Sequence, residues 1–112
     1  MVMNSMMSAL AEPNRLRIVE LLRDRPYSVG EIAEALELRQ PQTSKHLHVL
    51  CEAGIVQVKP VANQRIYSLC PEPFQAMDVW MSAYRRLWEE RFDRLDDYLQ
   101  QLQQAKKDDD KG

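Results

Sequence analysis

Two short amphipathic segments, separated by three residues and followed at once by two β-prone runs, constrain this chain more than any other feature. The first reads "SVGEIAEALEL". Ser28 and Glu31 stand at capping-box spacing, each side chain able to reach an orphan backbone N–H of the other. Ile32, Ala33 and Leu36 recur at helical spacing, which predicts a helix from about Val29 to Leu36. A connection as short as "ELR" leaves room only for a tight turn. The second segment, "QPQTSKHLHVLCEAG", has Pro41 near its start, where a missing N–H costs nothing. Leu47, Leu50 and Ala53 recur every three residues and point inward, and Gly54 suits a helix stop. Two helices joined by such a turn form a helix-turn-helix.

The run "IVQVKPVANQRIYSLC" comes next. Ile55, Val56 and Val58 read as one strand, and Arg65 to Leu69 as its partner. The turn "VANQ" has no Gly, and Pro60 belongs at a strand end or on a free edge. A hairpin directly after a helix-turn-helix is a wing. Upstream, "SALAEPNRLRIVELLRDRP" predicts a helix entered at Pro13 and ended by Pro26, with Leu16, Ile18, Val19, Leu21 and Leu22 as its apolar face. Downstream, one long helix from about Pro73 to Gln104 would extend ~48 Å. The expected fold is therefore mainly α (α+β): a winged helix-turn-helix with a two-stranded β-wing and a long C-terminal dimerisation helix. Residues 1–105 make one domain, and "KKDDDKG" over 106–112 reads as a disordered charged tail.

Bulk properties narrow the class further. A chain of 112 residues supports one modest core. No run of about 18 apolar residues exists, so no membrane span is expected. The N-terminal stretch lacks the basic start and apolar run of a signal peptide. Cys51 and Cys70 are too few for a disulfide scaffold, so a reducing cytoplasm is expected.

On a helix over 40–53, Thr43, Leu47 and Leu50 point inward. Gln40, Gln42, Ser44, Lys45 and His46 then surround the N-terminal face, with His48 further round. An N-terminal turn of this kind is where a recognition helix meets base edges. Gln pairs adenine in a bidentate way, and Ser, Lys and His reach bases or phosphates. The candidate DNA-binding set is Arg39, Gln40, Gln42, Thr43, Ser44, Lys45, His46 and His48, with Asn63, Gln64 and Arg65 at the wing tip. Charge points the same way. From Arg39 to Arg65 the basic residues Arg39, Lys45, Lys59 and Arg65 face the single acid Glu52, a local +3 in a chain of net charge -2. A positive face supplies the salt-dependent phosphate term.

The stretches "ALAEPNRLRIVELL", "SVGEIAEAL", "QPQTSKHLHVLCEAGIV" and "RIYSL" resemble the ArsR-type winged-helix transcriptional repressors of bacteria, over about residues 8 to 100. The ending "PEPFQAMDVWMSAYRRLWEERFDRLDDYL" resembles a subgroup with a long aromatic C-terminal helix. That resemblance implies a homodimer that binds a short inverted repeat of double-stranded DNA, represses a nearby operon and works in a prokaryotic cytoplasm. Arg39 departs from the family pattern, which places Ser before the recognition helix. The wing turn departs too, lacking the usual Gly and a further Arg.

The long stripe exceeds what one small core can cover. Trp80, Met81, Tyr84, Leu87, Trp88, Phe92 and Leu95 are expected to bury against a second copy, joined by Met6 and Leu10 of the N-terminal "MNSMMSAL". Many family members sense metals through cysteines in the helix before the recognition helix, or through His and acids on the last helix. Neither set is present here, so we expect no metal site and no cofactor. Cys51 and Cys70 stand as a possible thiol switch. No Ser–His–Asp, Cys–His or phosphate-loop constellation supports an enzyme. The alternatives are a metal- or thiol-gated repressor of the same fold, and a protein-interaction adaptor. An adaptor has no need of the basic bias and polar helix face kept here. No inducer is legible.

Overall fold

The computed structural model describes residues 2–111, apart from the side chains of Val2, Phe92 and 106–111. Helices and strands follow in the order α1 (Val2–Leu10), α2 (Pro13–Leu22), β1 (Tyr27–Ser28), α3 (Val29–Leu36), α4 (Gln40–Glu52), β2 (Val56–Val61), β3 (Gln64–Leu69), α5 (Pro71–Ser82) and α6 (Arg85–Lys111). The chain divides into two units, residues 1–77 and 78–112.

In the first unit α2 and α3 start where their capping chemistry puts them. Glu12 caps α2 by accepting the Arg15 N–H at 3.0 Å, with Pro13 in the first turn. The α3 capping box is closed on both sides: Glu31 N–H donates to Ser28 Oγ at 3.2 Å, and Ser28 N–H to Glu31 Oε1 at 2.9 Å. That backbone donor is the main reason the Glu31 carboxyl titrates below the usual glutamate range. α3 ends on Glu37 in the left-handed region, φ 56°, a position that favours glycine. The Leu38 N–H then closes the turn onto Ala33 O at 2.9 Å. α4 begins at Arg39 with no side-chain cap, as the sequence departure at that residue implies. It ends at Gly54, φ 76°, where the Ile55 N–H returns to Leu50 O at 3.0 Å.

The core gathers Met6 and Ala9 of α1, Ile18, Val19 and Leu22 of α2, Ile32 of α3, Leu47 and Leu50 of α4, then Ile55, Val56 and Tyr67. Leu16 was expected on the buried face of α2 but is exposed. It lies two residues from Ile18, ~200° round the helix, outside the stripe centred on Ile18 and Leu22. Met6 was expected at an interface between chains; its side chain is fully buried inside its own domain, and Leu10 is half-buried against the same core.

The hairpin pairs β2 with β3 antiparallel from Val56↔Leu69 to Val61↔Gln64. Its two-residue turn places Ala62 at φ 55°, where most wings would carry Gly. Pro60 sits in β2, whose outer edge is free. β1 adds a third strand on the far side of β3, with Tyr27 opposite Tyr67 and Ser28 opposite Ile66, giving the order β1-β3-β2. The wing is the two-stranded hairpin expected, and β1 went unforeseen because two residues are too few to show a period of two.

The single helix expected over 73–104 is two helices. At the junction Ala83 and Tyr84 N–H bond back three residues, to Trp80 O at 3.3 Å and Met81 O at 2.9 Å. Ser82 Oγ donates to Asp78 O at 2.8 Å, a back-bond that bends helices. Phe74 and Met77 pack on the core of the first unit. Within the second unit, Trp80 and Tyr84 stack with ring centroids 5.1 Å apart, and Arg85 reaches Asp78 at 3.4 Å. α6 continues to Lys111. The tail expected over 106–112 falls on residues whose side chains lie outside the described part. Among the described residues, no helix is long and apolar enough to cross a membrane.

Candidate nucleic-acid interface

α4 is anchored by the side chains it buries. Thr43, Leu47 and Leu50 have no exposed surface, which sets the rotation of the helix about its axis. Gln40, Gln42, Ser44, Lys45 and His48 are thereby turned outward, and Arg39 is exposed just before the helix. Asn63, Gln64 and Arg65 are exposed where the wing turns.

Two expected readers do not point outward. Thr43 is buried, and its hydroxyl donates to Arg39 O at 2.9 Å, so it anchors the helix start and offers nothing to a base. The same carbonyl accepts the Thr43 N–H at 2.9 Å, which ties down a helix start that lacks a side-chain cap. His46 is tucked in, with its side chain 15% exposed and Nδ1 3.7 Å from Glu12 Oε2. His48 is the open one, 75% exposed, with Nε2 3.7 Å from Glu52 Oε1.

The helix and the wing meet in two clefts. One, of about 420 Å³, is lined by Gln40 of α4, by Asn63, Gln64 and Arg65 of the wing, and by Ser28, Val29 and Gly30. The other, of about 320 Å³, is lined by Ser44, His48 and Cys51 of α4, by Val58, Arg65 and Tyr67 of the wing, and by Val29. Arg65 lines both. Ser28 to Gly30 line the first cleft, a neighbourhood that the sequence reading missed. They form the first turn of α3, whose partial positive charge faces the same cleft. The capping box was the available signal, since it marks where that turn begins.

Cys51 and Cys70 are free thiols, both half-buried. Burial pushes the Cys51 thiol up, followed by the neighbouring Cys70 and Glu52. Burial and then Glu72 push up Cys70. Both therefore rest protonated at neutral pH, the less nucleophilic form. Among the described residues, no group of three or more His, Cys, Asp or Glu is placed to hold a metal ion.

A helix-turn-helix with a polar, cationic recognition face and a wing beside it defines a DNA-binding transcriptional regulator. Residues 12–58 match the family model of bacterial regulatory proteins of the arsR family. The chain is 41% identical over 69 residues to the HTH-type transcriptional regulator Rv2034 of Mycobacterium tuberculosis, covering 62% of this chain and 64% of that protein. It therefore spans just under two thirds of that relative's length. With the transcriptional repressor SdpR of Bacillus subtilis it shares 30% identity over 79 residues, 70% of this chain and 88% of that one. The crystal structure of the ArsR family transcriptional regulator RHA00566 superposes with a TM-score of 0.68 at 30% identity, covering 79% of this chain and 91% of that one. The chain belongs to the ArsR family of winged-helix transcriptional regulators.

Proposed function

We propose that this protein is a homodimeric repressor that reads an inverted repeat, with α4 in the major groove and the wing on the flanking backbone. The observation that carries the reading is the cleft where Gln40 of α4 meets Asn63, Gln64 and Arg65 of the wing. A helix alone would leave the polar face of α4 as an ordinary solvated surface. A wing carrying a cation at its side makes a two-part grip on a duplex. Gln40 and Gln42 are placed to read adenine edges, Ser44 and His48 to reach bases or phosphates. Arg39, Lys45, Lys59 and Arg65 supply the phosphate term. The repressor role has support from SdpR, which is named as one. Such a protein works where the chromosome is, in the cytoplasm.

Dimerisation is supported by the side chains left exposed at the C-terminal end. Trp80, Met81, Tyr84, Leu87, Trp88 and Leu95 all remain solvent-accessible in the single chain. Apolar side chains at this density mark an interaction surface. A second copy doubles the base contacts by reading a half-site one helical turn away, ~34 Å. Thiol gating finds no support in two cysteines whose thiols are held protonated.

Selection of duplexes from a random library tests the reading directly. The expected product is a palindrome whose half-sites lie about one turn apart, bound with steep salt dependence. A flat selection, with no enriched sequence, sinks it.

A further inference from the structure

We propose that His46 is a positioning residue and not a base reader: with Glu12 it clamps α4 to the head of α2, and the clamp tightens when the imidazole is protonated. The proposal rests on the reading of α4 as the recognition helix. Its basis is geometric. The two histidines of α4 differ fivefold in exposure, 15% for His46 against 75% for His48. His46 Nδ1 lies 3.7 Å from Glu12 Oε2, too long for a hydrogen bond and within ion-pair range. That same oxygen accepts the Arg15 N–H at 3.0 Å and so caps α2. Arg15 Nε in turn donates to Ala9 O of α1 at 2.6 Å. One carboxylate thus links the head of α2 to the middle of α4, at the residue after Lys45, and Arg15 ties the same turn to the C-terminal end of α1.

The surrounding charges leave Glu12 as the group that responds. α1 carries no charged residue. The Arg15 guanidinium donates through Nε to Ala9 O. On α3, Glu31 is engaged with Ser28 and Arg25, and Glu34 is exposed. Lys59 of β2 is exposed. On α4 itself Lys45 faces outward, while His48 and Glu52 pair with each other. With His46 neutral, the Glu12 charge has no cation from α4 beside it and opposes the approach of phosphates. With His46 protonated, that charge is cancelled and α4 is drawn onto α2. Histidine is the side chain whose charge changes between about pH 5 and 8. DNA binding and protonation of His46 then favour each other, reciprocally.

Operator affinity is therefore expected to rise as pH falls from 8 to 6, by up to about tenfold per pH unit for one linked proton. His48 is the other histidine of α4, so the test separates the two residues. The probe is the duplex enriched by selection, bound at a series of pH values by wild type, His46→Gln, His48→Gln and Glu12→Gln. We expect His48→Gln to bind more weakly yet keep the pH step. His46→Gln and Glu12→Gln should flatten the step and enrich the same bases as wild type. A step that survives His46→Gln, or a changed base preference in that variant, overturns the proposal. NMR of the free wild-type protein supplies a readout that needs neither variant nor DNA. The amides of Gln42 and Lys45 should shift with the midpoint of the His46 imidazole; amides that stay still through that titration also overturn it. Should selection enrich no duplex, the DNA-binding reading fails, and the free-protein titration still decides the clamp.

Discussion

Thr43 shows how one residue changes role once its rotation about the helix axis is known. Its identity and position suit a base or phosphate contact, yet the hydroxyl is spent on Arg39 O at 2.9 Å and no surface is exposed. The same carbonyl also accepts the Thr43 N–H, so removing the hydroxyl leaves no acceptor orphaned. Thr43→Val should therefore lower stability by no more than about 1 kcal/mol, the usual net worth of one such hydrogen bond. Urea unfolding measures this, and selection on the variant should return the wild-type operator. A changed operator would put the Thr43 side chain back on the reading face. The two histidines make the same point, since nothing in "KHLH" says which imidazole is tucked against Glu12.

At the scale of elements, helix ends were the most legible feature because capping chemistry is local. Ser28 and Glu31 give the start of α3 to the residue, and Pro13, Pro41 and Gly54 give three more boundaries. Ser28→Ala should cost about 1 kcal/mol, the usual worth of an N-cap. The box also adds acid sensitivity. The folded Glu31 carboxyl titrates below its ordinary value, so its contribution is present above the unfolded pKa and is lost as pH falls through the folded one. Unfolding measured from pH 7 down to pH 3 should show a smaller loss in Glu31→Gln than in wild type; parallel curves would remove Glu31 from the acid response. Non-local elements were illegible for a physical reason. β1 is two residues long and exists only because β3 accepts it, so no periodicity announces it. The break between α5 and α6 falls at the Ser82 back-bond to Asp78, and it leaves the three-and-four spacing of the apolar stripe untouched. The wing was visible as a hairpin, and its partnership with Gln40 across a cleft became evident only in three dimensions. Arg65 is where that partnership is tested. Arg65→Ala should weaken binding to all sequences alike and reduce the salt slope by about 1, the mark of a lost phosphate contact. Loss of preference at one base position, with the slope unchanged, would make Arg65 a base reader instead.

The whole molecule is defined as much by what the single chain leaves uncovered as by what it buries. The first unit closes a core from α1 through the wing, and among the described residues no buried side-chain polar atom lacks a partner. The second unit keeps large apolar side chains in water, Leu87 at 63% exposure and Leu95 at 52%. Burying side chains of this size is worth about 1.5–3 kcal/mol each, so a few of them on each of two chains suffice for a stable pair. The apolar pattern of 80–95 was legible in sequence, because three-and-four spacing is local and runs on across the break between α5 and α6. Which of its residues would meet a second chain in the proposed dimer was not, because that depends on how two chains approach. Trp88→Glu decides the matter. A carboxylate placed there must be desolvated to keep an apolar interface, so sedimentation should show monomers. The fold should survive, because Trp88 is exposed in the single chain; circular dichroism and a retained unfolding transition check this. Operator affinity should drop roughly 100-fold or more, since the second half-site loses the effective concentration that linkage supplies. A half-site duplex should be bound equally by both proteins, which separates lost linkage from a damaged reading head. A Trp88→Glu protein that still sediments as a dimer and binds the full operator would place the interface elsewhere on the chain.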